Sequence, residues 1–207
     1  MPATHAHAFV HPLRRIADAV AGPGWCVVES FVEPELAGAL AAQARTAWLT
    51  GAFRAAGTGA GASPAIRTSV RGDHLLWWDT SQASSAQHAC LDRFEALRFT
   101  LNRELQLGLF DFECHFAIYP AGTRYGRHLD RFKTDARRTL SCVLYLNADW
   151  REEDDGQLRL HLDEDHSVDV TPRAGTLVTF LSERFEHEVL PARRERVSLA
   201  GWFRRRG

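Results

Sequence analysis

No stretch of the 207-residue chain approaches the ~20 consecutive apolar residues of a membrane-spanning helix, and Met1 to Arg15 holds no apolar run of signal-peptide length. A soluble, cytoplasmic protein is therefore expected. Charge of one sign is equally scarce. Lys and Arg total 25 against 26 Asp and Glu, a formal net charge of −1, so no global field favours nucleic acid or a membrane surface. The four cysteines, Cys26, Cys90, Cys114 and Cys142, lack CxxC spacing and the density of a secreted scaffold, which leaves reduced and mostly buried thiols. Internal repeats and linkers are missing too, and a hydrophobic content of 45% suffices for one sizeable core. A monomer built as one domain over residues 1–207 is the simplest expectation. Arg204 to Arg206 read as a solvated basic tail, and His5, His7 and His11 as adventitious histidines on a mobile terminus.

Along the chain, Leu13 to Val20 has helical apolar spacing and stops at Gly22-Pro23-Gly24, and Trp25 to Phe31 reads as a strand. Glu33 to Leu49 is a helix with proline in its first turn. Gly51 to Pro64, poor in core-forming residues, reads as a mobile loop. In Ile66 to Trp78 a charged turn, Arg71-Gly72-Asp73, feeds an apolar strand whose adjacent tryptophans point to opposite faces. Ser81 to Leu107 carries Leu91, Phe94, Leu97, Leu101 and Leu105 three to four residues apart, the stripe of an amphipathic helix. After it come only short strand-like runs: Phe110 to Tyr119, Thr139 to Asn147, Gln157 to Leu162, Ser167 to Val170, Thr176 to Leu181, Glu186 to Leu190 and Arg196 to Phe203. Helices first and strands afterwards give an α+β chain, with helical support over about residues 1–107 and a double-sheet jelly roll over about 108–207.

The chemistry concentrates in Tyr119 to Asp130, an aromatic strand end, a Pro/Gly turn and a run into His128-Leu129-Asp130. In a strand, His128 and Asp130 would project from one face, roughly 7 Å apart along it. About one His-x-Asp pair is expected by chance, and His161-Leu162-Asp163 repeats the form, but its polar continuation reads as a hairpin turn. One imidazole and one carboxylate supply two of the three ligands of a two-His-one-carboxylate site, which leaves coordination positions open. His187 fits as the third, opening a strand after the polar turn Ser182 to Arg184. Arg196, nine positions on, is expected on the adjacent antiparallel strand, with Ser198, Ala200 and Trp202 sharing its face. An inward arginine requires an anion. Either a protein carboxylate such as Glu186 or Glu188 serves, or a dicarboxylic co-substrate, which a planar guanidinium grips with paired hydrogen bonds.

These pieces together resemble the iron- and 2-oxoglutarate-dependent oxygenases, and among them the prolyl hydroxylases of the oxygen-sensing type and their bacterial relatives. The resemblance runs from about Val70 to Trp202 through Val70-Arg71-Gly72-Asp73, the Tyr119 to Asp130 stretch, Tyr145-Leu146-Asn147-Ala148-Asp149-Trp150, His187-Glu188-Val189, and Arg196-x-Ser198 with Trp202. It implies a double-stranded β-helix core in which His128, Asp130 and His187 bind Fe(II). It also implies 2-oxoglutarate at Arg196 and Ser198, with Tyr145 as a second donor, Tyr119 beside the chelating end and Trp202 bordering the pocket. Arg71 and Asp73 match a mobile segment that covers substrate, and Arg138 a residue that can pair with the aspartate.

The activity implied is hydroxylation at C4 of a prolyl residue in a flexible protein loop. It uses O2, turns 2-oxoglutarate into succinate and carbon dioxide, and takes ascorbate as reductant. The alternatives are another residue type, a small molecule such as free proline, or a catalytically silent jelly-roll module that binds metal or peptide.

Overall fold

Local signals set the helix boundaries. Pro34 opens α2 (Pro34–Leu49), where a missing N–H is harmless. Ser84 and Gln87 form a reciprocal capping box at the start of α3 (Ser85–Leu105), which Gln106 closes in the left-handed conformation. In this computed structural model, which describes residues 4–57, 70–131 and 136–207, a further helix, α1 (Thr4–Ala21), precedes them. The N-terminal segment expected to be mobile is thus helical from Thr4. Residues 58–64 of the expected mobile loop lie outside the described residues.

The strands are β1 (Trp25–Val28), β2 (Arg54–Ala55), β3 (His74–Trp77), β4 (Leu109–Tyr119), β5 (Tyr125–His128), β6 (Arg138–Tyr145), β7 (Leu158–His161), β8 (Ser167–Val170), β9 (Leu177–Leu181), β10 (His187–Val189) and β11 (Arg196–Arg205). Among the described residues they form two antiparallel sheets. The larger has the order β1-β9-β6-β11-β4-β3-β2 and the smaller β5-β10-β7-β8, which is the double-sheet jelly roll expected from the sequence.

Alternation gives each strand of the large sheet two different faces. On β11, Val197, Leu199 and Phe203 turn outward into the main core, joined there by Phe116 and Ile118 of β4 and by Ile16, Leu40, Phe94 and Leu97 from the three helices. Phe94 stacks on Phe112 with ring centroids 4.3 Å apart. The inward faces close on the small sheet through Val143, Leu158, Leu160, Val178 and Phe180. Gly201 sits where β4, β11 and β6 are most crowded. A Cβ there would lie 2.4 Å from Phe112 Cζ and 2.8 Å from Cys114 Cβ.

Two expectations need correction. Arg204 is no solvated tail residue: on β11 it grips Asp111 with two hydrogen bonds, at 2.9 and 2.6 Å, and Glu113 with a third at 2.8 Å. His187 and Arg196 are not on neighbouring strands. β10 pairs with β5 and β7, whereas β11 pairs with β4 and β6. The 190–195 segment crosses between sheets and is anchored to 154–157 by backbone hydrogen bonds at Leu190, Pro191 and Arg193. The two residues therefore approach the interior from opposite sheets.

Candidate active site

Cross-strand register brings the histidines together. His187 lies directly opposite His128, their ring centroids 4.2 Å apart. Asp130 joins them differently from the sequence expectation, because β5 ends at His128 and Asp130 sits in a bend beyond it. The bend turns the carboxylate back. Oδ1 lies 3.7 Å from His128 Nε2 and Oδ2 3.6 Å from His187 Nε2, and one ligand atom from each residue falls within 4.8 Å of the others.

Backbone carbonyls orient both rings. Nδ1 of His128 donates to Gly126 O at 2.8 Å and Nδ1 of His187 faces Phe185 O at 3.3 Å. With the proton on Nδ1, each Nε2 presents its lone pair to the same point as the carboxylate. Burial pushes His187 down to about 4, so it is neutral at physiological pH. For Asp130, burial acts to raise the pKa, but the two imidazoles and the Ser141 hydroxyl outweigh it and hold the group well below the usual carboxylate range. Two imidazoles turned by their Nδ1 contacts and an ionised carboxylate, converging at one point, form a donor set fit for a cation. The set suits a divalent first-row metal such as iron.

Across the interior, Arg196 is 1% exposed. Its Nε donates to Gly156 O at 3.0 Å, Nη1 reaches Ser198 Oγ only at 3.4 Å, and Nη2 has no partner among the described residues. Gly156 accepts in a left-handed conformation (φ 74°), and a Cβ there would meet Ala192 Cβ at 2.6 Å. Neither carboxylate considered from the sequence is available. Glu186 accepts from Arg127 at 2.7 Å, and Glu188 pairs with His161 at 3.2 Å. The guanidinium carbon lies 5.0 Å from the Tyr119 ring and 5.1 Å from the Tyr145 ring. Among the described residues Tyr145 Oη has no hydrogen bond of good geometry, and burial raises the phenol to about 12, so it remains a donor. An unneutralised buried guanidinium beside an orphaned hydroxyl fits one end of a dicarboxylate such as 2-oxoglutarate.

Triad and arginine open into one cleft of about 540 Å³, lined also by Arg71, Asp73, Tyr119, Arg138, Ser198 and Trp202. Arg71 and Asp73 hold each other through two hydrogen bonds of 2.7 and 3.0 Å, and the guanidinium lies 4.3 Å above the Tyr125 ring. Arg138 donates from Nε to Glu113 Oε1 at 2.8 Å and covers the Trp202 ring at 3.5 Å. The Asp130 carboxylate accepts a hydrogen bond from Ser141 at 2.7 Å.

Several site residues are absent from the sequence reading. Ser141 was findable by alternation, since it shares a face of β6 with Val143 and Tyr145. Tyr125 stacks on His128 at 3.6 Å, and His115 lines the cleft on the face of β4 that carries Tyr119. No sequence signal marks Gly156 as the acceptor for Arg196.

Comparison with known proteins agrees with this geometry. Residues 114–204 match the model of the 2OG-Fe(II) oxygenase superfamily. The crystal structure of a prolyl-4-hydroxylase from Pseudomonas putida is 47% identical and superposes with a TM-score of 0.86, covering 94% of this chain and 100% of that one. A Trichoplax adhaerens prolyl hydroxylase, solved with a hypoxia-inducible-factor peptide fragment, shares the fold at a TM-score of 0.87 and 24% identity over 99% of this chain and 94% of that one. The hypoxia-inducible factor prolyl hydroxylase of Caenorhabditis elegans is 31% identical over 144 residues, 65% of this chain but only 20% of that longer protein. A relative 47% identical over its whole length, with the superfamily's model laid over the residues that carry the triad and Arg196, makes this chain a member of the 2OG-Fe(II) oxygenase superfamily.

Proposed function

We propose that the chain hydroxylates C4 of a prolyl residue in a flexible segment of another protein, with Fe(II) at His128, Asp130 and His187 and 2-oxoglutarate anchored on Arg196. The observation that carries the reading is the buried, unneutralised guanidinium of Arg196 facing the same cleft as a two-His-one-Asp cluster. The prolyl target rests on the relatives, since the Pseudomonas putida and Caenorhabditis elegans proteins are prolyl hydroxylases and the Trichoplax adhaerens one was solved with a peptide. A cytoplasmic monomer that uses ascorbate to keep its iron reduced completes the proposal.

Bound iron, 2-oxoglutarate and O2 together supply oxidation of an unactivated C–H bond, with succinate and carbon dioxide as co-products; zinc, which cannot change oxidation state, does not. The residues provide position. Arg196 and the protonated Tyr145 phenol take the far carboxylate, which leaves the keto-acid end free to reach the triad. Ser141 fixes the Asp130 carboxylate, and Tyr125, stacked on His128, fixes that ring. Val143, Leu158 and Val189 add apolar surface to the lining of the same cleft. Trp77 and Leu129, which also line the cleft, are 49% and 40% exposed and give it an apolar rim suited to a peptide loop.

The test is succinate formation by the purified protein with Fe(II), ascorbate and 2-oxoglutarate, with and without the macromolecular fraction of a cell lysate. Stimulation by that fraction, with mass spectrometry locating an added oxygen on a proline, supports the reading. Stimulation by the small-molecule fraction alone moves the substrate to a free metabolite, and no turnover by iron-loaded protein removes the oxygenase reading.

A further inference from the structure

His115 has no part in holding metal or co-substrate, yet it is a polar residue on the cleft wall. It is 2% exposed, and among the described residues its Nδ1 is buried without a hydrogen-bond partner. An unmatched buried nitrogen on an imidazole costs free energy comparable to a lost hydrogen bond, unless something that enters the cleft satisfies it.

Register shows which end of the cleft it serves. His115 pairs across the large sheet with Trp77 of β3 on one side and Ala200 of β11 on the other. Ala200, like Ala117 next along the inner face of β4, is too small to fill the space beside the imidazole, and both line the cleft. His115 sits toward the open end of the cleft: its ring lies 4.6 Å from the ring of Trp77, which is 49% exposed, and 5.4 Å from the Trp202 ring.

The target of such a nitrogen is limited. A prolyl residue has no N–H, so the hydrogen-bonding group it carries in a peptide is its carbonyl oxygen, an acceptor. We propose that His115 is a substrate-positioning residue whose unpartnered ring nitrogen donates a hydrogen bond to a peptide carbonyl at or next to the target proline, between Trp77 and Trp202. The inference rests on the prolyl reading above. A neutral imidazole is required for selectivity toward a carbonyl, because a charged ring would equally favour a carboxylate. Burial, reinforced by the nearby Arg71 and Arg138 cations, lowers His115 to about 3 and keeps it neutral. Trp77 and Trp202 offer the apolar faces against which a pyrrolidine ring packs.

The experiment compares wild type with His115→Leu, which removes the donor at similar volume, and His115→Gln, which restores an N–H. The probe is a synthetic peptide with a single proline, taken from the protein in which the added oxygen is found, alongside the same peptide with that prolyl carbonyl replaced by a thiocarbonyl, a weaker acceptor. The expected result is a three- to tenfold rise in peptide KM for His115→Leu, roughly the worth of one neutral hydrogen bond. KM should return toward wild type in His115→Gln, and 2-oxoglutarate affinity should not change. Discrimination between the two peptides should vanish in His115→Leu, as a double-mutant cycle requires. In zinc-loaded protein, which does not turn over, the His115 ring nitrogens should shift in the NMR spectrum when peptide is added. Unchanged peptide KM in His115→Leu overturns the proposal, as does an equal loss of peptide and 2-oxoglutarate affinity, the signature of a structural role. A wild-type enzyme that oxidises no prolyl peptide at all defeats instead the reading on which it rests.

Discussion

Ser141 Oγ lies 2.7 Å from Asp130 Oδ2 and donates to it, while Ser182 Oγ stands 2.9 Å behind Ser141. A chain of hydroxyls from β6 and the loop after β9 thus fixes a carboxylate that its own strand has already released into a bend.

Ser141→Ala removes the hydrogen bond that sets the Asp130 carboxylate without removing a ligand. Loss of such a supporting partner is expected to weaken metal affinity by about 10–100-fold and to lower global stability by only about 1 kcal/mol. Titration of the apo protein with Co(II), read by its visible absorption, checks this. Wild-type affinity in the variant would show that the hydroxyl does not orient the ligand.

Arg196→Met separates binding from stability. The wild-type guanidinium is buried and short of partners, so an apolar side chain of similar length should leave the apo protein equally stable or more so. The KM for 2-oxoglutarate should rise by about 10–100-fold, the worth of a charged hydrogen-bonded clamp. Thermal unfolding with and without 2-oxoglutarate reads both effects. The ligand-induced stabilisation seen in wild type should be missing in the variant.

Acid should destabilise the apo protein from near neutrality. His115 and His187 are lowered from 6.5 to about 3 and about 4, chiefly by burial. Between pH 6.5 and 4 the unfolded chain binds protons that the native one refuses, so the stability these groups contribute is fully present above 6.5 and is lost as pH falls through the folded values. The total is on the order of several kcal/mol, since each tenfold weakening of proton affinity on folding corresponds to about 1.4 kcal/mol. Urea unfolding midpoints across this window should fall steadily, and His115→Gln should flatten the slope. A flat wild-type profile would mean that the two rings are solvated.

Gly201→Ala tests the crowding on β11. The added methyl would meet Phe112 Cζ at 2.4 Å, Cys114 Cβ at 2.8 Å and the Glu113 carbonyl at 2.9 Å. Two of those three contacts are backbone or near-backbone atoms that cannot swing aside. Destabilisation of about 1–3 kcal/mol or more is expected from overpacking alone, measured as the urea midpoint at constant slope.

Much of this was legible in the residues. Period-two alternation on β11 placed Arg196, Ser198, Ala200 and Trp202 on one face, and all four line the cleft. The three-to-four spacing of Phe94, Leu97 and Leu101 placed the inner stripe of α3, and all three are buried. Of the adjacent tryptophans, Trp77 is half exposed and Trp78 packs against the core. His161-Leu162-Asp163 ends β7 and enters the β7–β8 connection, as its polar continuation suggested, with Asp163 bonded to His166. Where the reading failed, it had extended a local pattern past the point where the strand stops. Asp130 leaves β5 after His128.

The sequence by itself determined which side chains face inward, because alternation is a property of a single strand, and which residue types could bind a metal and an anion. Only the tertiary structure decided that His187 would lie opposite His128 in one sheet while Arg196 reached the cleft from the other. Among the described residues it also left that guanidinium without a carboxylate and His115 Nδ1 without a hydrogen-bond partner. Strand pairing is a choice among distant segments, made by the burial of the whole core, and no local spacing encodes it. A hydrogen bond left unmade inside the fold is likewise visible only once every neighbour that could have made it is in place.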